Sequence, residues 1–223
     1  YNESPVQPIT SPLIVKYRPF EDTSSVGEEL TVVFDKSGNR KTTNEHSEGT
    51  VNLTLLGENL LYHAKVKSDG NEFTMNMLMT ERGEILEASL NSPKAARSNK
   101  AKKLFESLLS TLKVFSAIYP SEGIITGDNL FAERGEVQVG TYDARIKLNG
   151  RVEGLVHSRG RPAILVNMAG SYFVMGSNPK AYMEGWMLLD VNNGIMTRSN
   201  MRTVMQLPDS ATVEKLIVIS SNE

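Results

Sequence analysis

Between Val51 and Leu90 the chain alternates apolar and polar residues with a period of two, and turn signals break the alternation at short intervals. Val51, Leu53 and Leu55 alternate. So do Leu60, Tyr62, Ala64 and Val66 after Gly57, then Phe73, Met75, Met77 and Met79 after Asp69-Gly70, with a further run over 85–90 after Gly83. A period of two puts successive apolar side chains on one face of a pleated strand. Glycine at the breaks supplies the positive φ that a tight hairpin needs. The segment is therefore expected to be an up-and-down antiparallel meander with one apolar face.

The same signals extend in both directions. Upstream, residues 13–17 and 30–34 read as strands, and the polar stretch 35–47 reads as a hairpin with its tip at Ser37, Gly38 and Asn39. Downstream, Val137 and Val139, then Ala144, Ile146 and Leu148, alternate up to a hairpin signal at Asn149-Gly150, and 151–156, 163–168, 172–175 and 183–191 follow. Asn193-Gly194 is a further turn, leading to 195–205 and 213–219. The period changes once. Leu104, Phe105, Leu108, Leu109, Leu112, Phe115 and Tyr119 recur at spacings of three and four, the stripe of an amphipathic helix from about residue 98 to 119, closed by Pro120. The expected fold is mainly β (α+β): a large curved antiparallel sheet or incomplete barrel of ten or more strands, with one main amphipathic helix packed on it.

Composition bounds the function. At 223 residues and 39% hydrophobic the chain can bury one core, so residues 13–223 are expected to form a single β-rich domain. Residues 1–12, with Pro5, Pro8 and Pro12, read as an extended N-terminal tether. A formal charge of -2 gives no attraction to nucleic acid. With no cysteine there are no disulfides, thiolate nucleophiles or thiolate metal sites. No apolar run is long enough to span a membrane as a helix. Because the sequence opens on Tyr1, an upstream segment is expected to have been removed, and a lipid anchor on that segment would suit a tether.

Signatures of catalysis are missing. His46, His63 and His157 stand at no metal-ligand spacing, there is no nucleophile elbow, and no glycine-rich phosphate loop follows a strand. No cofactor or metal is expected. Carboxylates gathered from distant strands, with Asp190 and Glu184 as nominees, leave a hydrolase as the third reading. Methionine is more informative: ten in this length, most on strand segments. Flexible, polarizable side chains of this kind fill irregular cores or adapt to ligands of varied shape. A pocket between the sheet and the helix is expected to be lined by Phe73, Met75, Met77, Met79, Trp186 and Met187. The cations Lys94, Arg97, Lys100, Lys102 and Lys103 read as a solvated stretch before the helix.

The stretch 185–196, in which a strand from Gly185 and Trp186 ends at Asp190, turns through Asn193-Gly194 and returns at Ile195 and Met196, resembles a hairpin of bacterial envelope lipoproteins. With the order strands, helix, strands, it makes the chain similar to the LolA/LolB-like group of periplasmic proteins. That resemblance implies a curved antiparallel sheet closed by helices over a hydrophobic cavity. It also implies a periplasmic or outer-membrane-anchored location. The chain departs from the group in carrying one strong helix signal where more are expected across the cavity mouth. The expected role is a non-enzymatic cell-envelope binding protein for an apolar ligand, a lipid, or a lipidated or peptide partner. The alternative is a structural or assembly adaptor that holds another envelope protein and has a filled core.

Overall fold

The computed structural model describes residues 4–68, 71–91, 116–131, 134–139, 142–174, 180–206 and 211–222. Eleven strands lie among them: β1 Phe20–Phe34, β2 Arg40–Leu56, β3 Asn59–Ser68, β4 Asn71–Met79, β5 Ile85–Asn91, β6 Arg134–Val139, β7 Tyr142–Ser158, β8 Arg161–Val174, β9 Lys180–Asp190, β10 Met196–Gln206 and β11 Thr212–Asn222. They form one open sheet in the order β5-β4-β3-β2-β1-β11-β10-β9-β8-β7-β6, every pair antiparallel. Two meanders, β1 to β5 and β6 to β11, are thus joined through their first and last strands.

The sheet is strongly curled, and two residues show it. Tyr17 donates its N–H to Glu81 O at 2.7 Å in the β4–β5 turn, while its neighbour Arg18 donates to Asn193 O at 3.2 Å in the β9–β10 turn. Tyr119 reaches both turns by itself, from its N–H to Arg82 O at 2.9 Å and from its hydroxyl to Gly194 O at 2.6 Å. In a flat sheet, β4 and β10 are five strand spacings apart, about 24 Å. Only a sheet rolled towards a barrel lets one side chain and its own backbone touch both.

The residues that make this span are a plug over one end of the inner face. Ile9, Val15, Ala117, Tyr119, Ile124, Leu130 and Phe131 are buried there against Ile146, Leu148, Val152, Ile164, Val166, Met168, Met183, Met187 and Leu189. A side chain of this size contributes about 1.5 to 3 kcal/mol when fully buried, before entropy is subtracted. Backbone geometry makes room for the plug. Gly83, at φ 98°, has the Tyr17 ring 2.7 Å from where a Cβ would stand, and Gly194, at φ 73°, has Lys16 O at 2.9 Å.

Several expectations are corrected by this arrangement. Residues 13–17 are not a strand of the sheet; Leu13, Val15 and Tyr17 serve the plug while Ile14 is exposed, and Leu13 makes one isolated bridge to Ile124. The stretch read as a tether docks from Ser4 onward. Gln7 exchanges both backbone bonds with Leu155 at 2.8 Å, and Ile9 is buried. It protects the edge of β7 beyond the reach of β6, as does Asp128, whose carbonyl accepts the Val152 N–H at 2.8 Å. Asn149-Gly150 is no turn but the middle of β7, because the Phe131 ring and Met168 occupy the space a side chain would need. The polar stretch 40–47 is strand, paired with β1 over its whole length. The helix expected over 98–119 lies outside the described residues as far as 115; residues 116–119 are described and are not helical, and no helix occurs among the described residues. Asn193-Gly194 and Gly57 turn as expected.

The plug carries a pH signature. Burial raises the hydroxyl pKa of Tyr119 and of Tyr17, whose ring centroids lie 5.3 Å apart, and pushes that of Tyr62 up to about 12. Unfolded tyrosine titrates near 10, so the folded state holds these protons longer than the unfolded state does. Their contribution is complete below about pH 10 and is lost as pH rises through and beyond 12, at up to about 1.4 kcal/mol per unit for each phenol. We predict cooperative alkaline unfolding above pH 10, with three of the seven tyrosines ionising only as circular dichroism is lost. Seven phenolates forming near pH 10 in an intact fold would contradict the burial.

Candidate ligand-binding face

Side chains paired across strands share a face, so the register shows where the methionines point. Met75 stands opposite Ala64 and, through it, Val51; Phe73 stands opposite Val66, then Gly49, Ser25 and Ser221. Across the other meander, Gly150, Met168, Gly185, Met201 and Ile217 form one continuous row that ends on Glu29. Both sets lie on the inner face. Of the ten methionines, Met175 lies outside the described residues, and the other nine all project to this side.

Glycine alternates with methionine for a steric reason. A Cβ on Gly185 would stand 2.8 Å from Met201 Sδ, one on Gly150 would stand 3.0 Å from Met168 Sδ, and one on Gly170 would stand 3.2 Å from Met183 Cε. The thioethers therefore lie flat over bare backbone, and the curled sheet closes down on them. Thioethers adapt to such irregular space better than branched side chains do.

Burial on this face is graded from one end to the other. At the plugged end Met79, Met77, Leu60 and Leu53 are buried, with Tyr17 and Phe20 packed on the Leu53–Leu60–Met79 cluster. Towards the far end of the same strands, Met75, Phe73, Val66 and Val51 are only half-buried, and so are Met201, Met205, Val213, Ile217 and Ile219 on β10 and β11. The arrangement is a cup: sealed at one end by the plug, with apolar rows along β3–β4 and β10–β11 and polar side chains along β1–β2, and partly accessible above. Polar residues share this face on β1, β2, β10 and β11, among them Lys41, Thr43, Glu45, Ser47 and Thr203, and one group of them is bonded together. Lys215 Nζ donates to Glu29 Oε1 at 2.6 Å, and the Thr31 hydroxyl donates to the same oxygen at 2.8 Å. Burial works to raise the Glu29 pKa, yet the hydrogen bonds from Lys215 and Thr31 prevail and hold it below the usual carboxylate range.

The six residues expected to line a pocket are divided by this geometry. Phe73 and Met75 stand in the accessible part of the cup; Met77, Met79 and Met187 share the face but are buried as core. Trp186 faces the other way. It pairs with Asn167 and Asn200 on the outer surface, beside Val156, Ala163, Leu165 and Leu188, and the Arg198 guanidinium sits 5.9 Å from its ring centroid. Sequence neighbours on a strand cannot share a face, so Trp186 and Met187 could not both have lined the pocket. Residues that pattern alone did not nominate, Val66, Met201, Met205 and Ile217, complete the wall; only the strand order brings them together.

The other nominated chemistry is dispersed. Glu184 pairs with Arg202 at 3.3 Å, and Asp190 accepts the Asn192 N–H at 2.6 Å in its turn. Six residues along one strand separate the two acids by about 20 Å, too far for a carboxylate pair. His63 bonds Asn76 Oδ1 at 2.6 Å. Among the described residues no group of three metal-ligating side chains comes together, and no helix is long and apolar enough to cross a membrane. The cation cluster 94–103 lies outside the described residues.

The glycine–methionine fit sets a stability test. Gly185→Ala places its methyl group against Asn200 O and 2.9 Å from Met201 Cα, which are backbone atoms that cannot swing aside. Overpacking of this kind costs about 1 to 3 kcal/mol. The thermal midpoint is expected to fall by several degrees for a chain of this length, and a variant melting within a degree of the parent would contradict the packing.

Compared with known proteins, the chain matches no protein-family model, and no curated protein shows significant sequence similarity to it.

Proposed function

We propose that this is a non-enzymatic binding protein of the bacterial cell envelope that holds an apolar molecule, a lipid chain or a lipidated partner in the cup formed by the inner face. The observation that carries the reading is the gradient of burial along β3 and β4, from Met79 at 3% and Leu60 at 2% exposure to half-buried Phe73, Met75 and Val66. A core filled only for stability has no reason to leave its aromatic and thioether side chains part-exposed at one end. A site for a flexible apolar ligand does, because its surface is completed when the ligand arrives. The periplasmic or outer-membrane location and the kinship with LolA/LolB-like proteins belong to the same proposal, resting on the curled antiparallel sheet and the plugged cup.

A second reading, an assembly adaptor with a filled interior, is favoured by one feature. Leu55 and Leu56, at 67% and 55% exposure, stand together at the β2–β3 turn beside an open groove lined by Phe20 and Leu53. Exposed leucine pairs of this kind suit a protein partner.

The two readings separate on ligand uptake. Solvent extraction of purified protein followed by mass spectrometry should recover a lipid or other apolar molecule, and a fluorescent fatty-acid probe should bind saturably. Met75→Asp, which sets a charge in the wall, should weaken that uptake at least tenfold, while Leu55→Ser should leave it unchanged. No extracted molecule together with no saturable uptake would contradict the cup reading and leave the adaptor.

A further inference from the structure

A second cavity lies on the opposite face of the sheet, at the plugged end. It encloses about 170 Å³ and is lined by Arg159, Arg161, Arg198, Asp190, Ser158 and Ser221, among others. The register sets it apart from the cup: Arg198 stands opposite Leu188, and Arg161 opposite Ser158, on the outer surface.

Three arginines line this cavity, and none can lose its charge at any pH the fold survives. Among the described lining residues Asp190 is the one acid, so the wall keeps a formal charge of +2 from three arginines and one aspartate. Asp190 is also committed elsewhere. It is 2% exposed, and its Oδ1 accepts the N–H groups of Asn192 at 2.6 Å and Asn193 at 3.3 Å. Ser158, on this face, is buried at 8% exposure in the same wall, whereas Ser221 meets it with its backbone carbonyl and donates its hydroxyl to Thr197 O at 3.1 Å. Gathered cations beside a serine hydroxyl are a recognition surface for an oxyanion.

Backbone conformation gives an independent sign. Arg159 and Gly160 form the two-residue turn between β7 and β8, with φ of 50° and 79°. Positive φ at both central positions is the type I′ hairpin, whose first position suits Asn, Asp or Gly. Arg159 is the one non-glycine residue at positive φ among the described residues. A long cationic side chain carries strain there that Asn would avoid. From this position it crosses to the end of β11 and donates Nη1–H to Ser221 O at 2.9 Å, using one of five donors. Arg198 is oriented separately, over the Trp186 ring.

We propose that this cavity binds a phosphate group, with Arg159 as its principal ligand and Arg161 and Arg198 completing the charge. Phosphate presents several acceptor oxygens to a fork of N–H donors, which matches three arginines better than one carboxylate does. The group arrives either as the free ion or as the headgroup of an anionic phospholipid, and both offer the same chemistry to the site.

Arg159→Asn tests this without endangering the fold, since Asn-Gly is the preferred pair for the turn. Its thermal midpoint should equal or exceed the parent's. Calorimetric titration with inorganic phosphate should give saturable binding to the parent with Kd at or below about 1 mM, weakened at least tenfold in the variant. In a parallel arm, vesicles of phosphatidylglycerol in phosphatidylcholine are sedimented with each protein. Vesicle binding that Arg159→Asn abolishes and free phosphate competes away identifies the headgroup as the source; phosphate binding without vesicle binding identifies the free ion. The proposal is overturned if neither probe binds, or if the probe that binds does so equally well to Arg159→Asn.

Discussion

β1 and β11 come from opposite ends of the chain, and their pairing makes a single sheet out of two meanders. Every other neighbour in the sheet order is also a neighbour in sequence, so each meander can be built from local hairpins. The β1–β11 ladder has no such help and carries the largest loop-closure cost in the structure. It runs for eleven residue pairs, from Ser24 opposite Asn222 to Phe34 opposite Thr212. Its register is decisive, because a slip of one residue would turn the whole of one meander inside out relative to the other. The Glu29–Lys215–Thr31 cluster straddles this seam on the inner face. Half-exposed ion pairs stabilise little, but this one is compatible with only one register.

The second constraint is the plug. A curled open sheet leaves edges and an unfilled interior, both costly. Residues 4–19 and 116–131 serve both needs: their backbones pair with the free edge of β7, and their side chains fill the closed end of the cup. Tyr119 unites these roles, since its backbone holds the β4–β5 turn and its hydroxyl holds the β9–β10 turn. The outer-face cavity lies at the same end, close to the turn that Tyr119 clamps. The two proposed sites thus occupy opposite faces and carry opposite chemistry: thioether and aromatic inside, guanidinium outside.

Much of the fold is legible in the sequence where structure is local. The period-two runs of β3 and β4 and the turns at Gly57 and Asn193-Gly194 follow directly from pattern and glycine chemistry. The failures have a common cause. Asn149-Gly150 has the composition of a turn, yet Gly150 is there for the Phe131 ring, a contact made by distant chain. Residues 13–17 have the pattern of a strand, yet their partners are a plug and two turns. Trp186 was misplaced although strand parity alone separates it from Met187. For the site, the Phe73–Met79 row could be read from alternation, but Met201, Met205 and Ile217 join it only through the long-range seam, which leaves no local trace. The arginine cavity was equally hidden, since its residues come from five different strands and a turn.

Because the inner face exists only if β1 and β11 pair in this register, the most direct measurement is disulfide trapping across the seam. The chain has no native cysteine, so two introduced thiols report without interference. Val33 stands opposite Val213, with both side chains on the inner face, whereas Thr212 stands opposite Phe34 and faces outward. Paired positions meet the Cα and Cβ spacing a disulfide requires. Under mild oxidation Val33→Cys with Val213→Cys should crosslink nearly completely while the protein stays folded, and Val33→Cys with Thr212→Cys should remain reduced. Crosslinking of the second pair in preference to the first would place the two meanders in a different register and contradict a shared inner face.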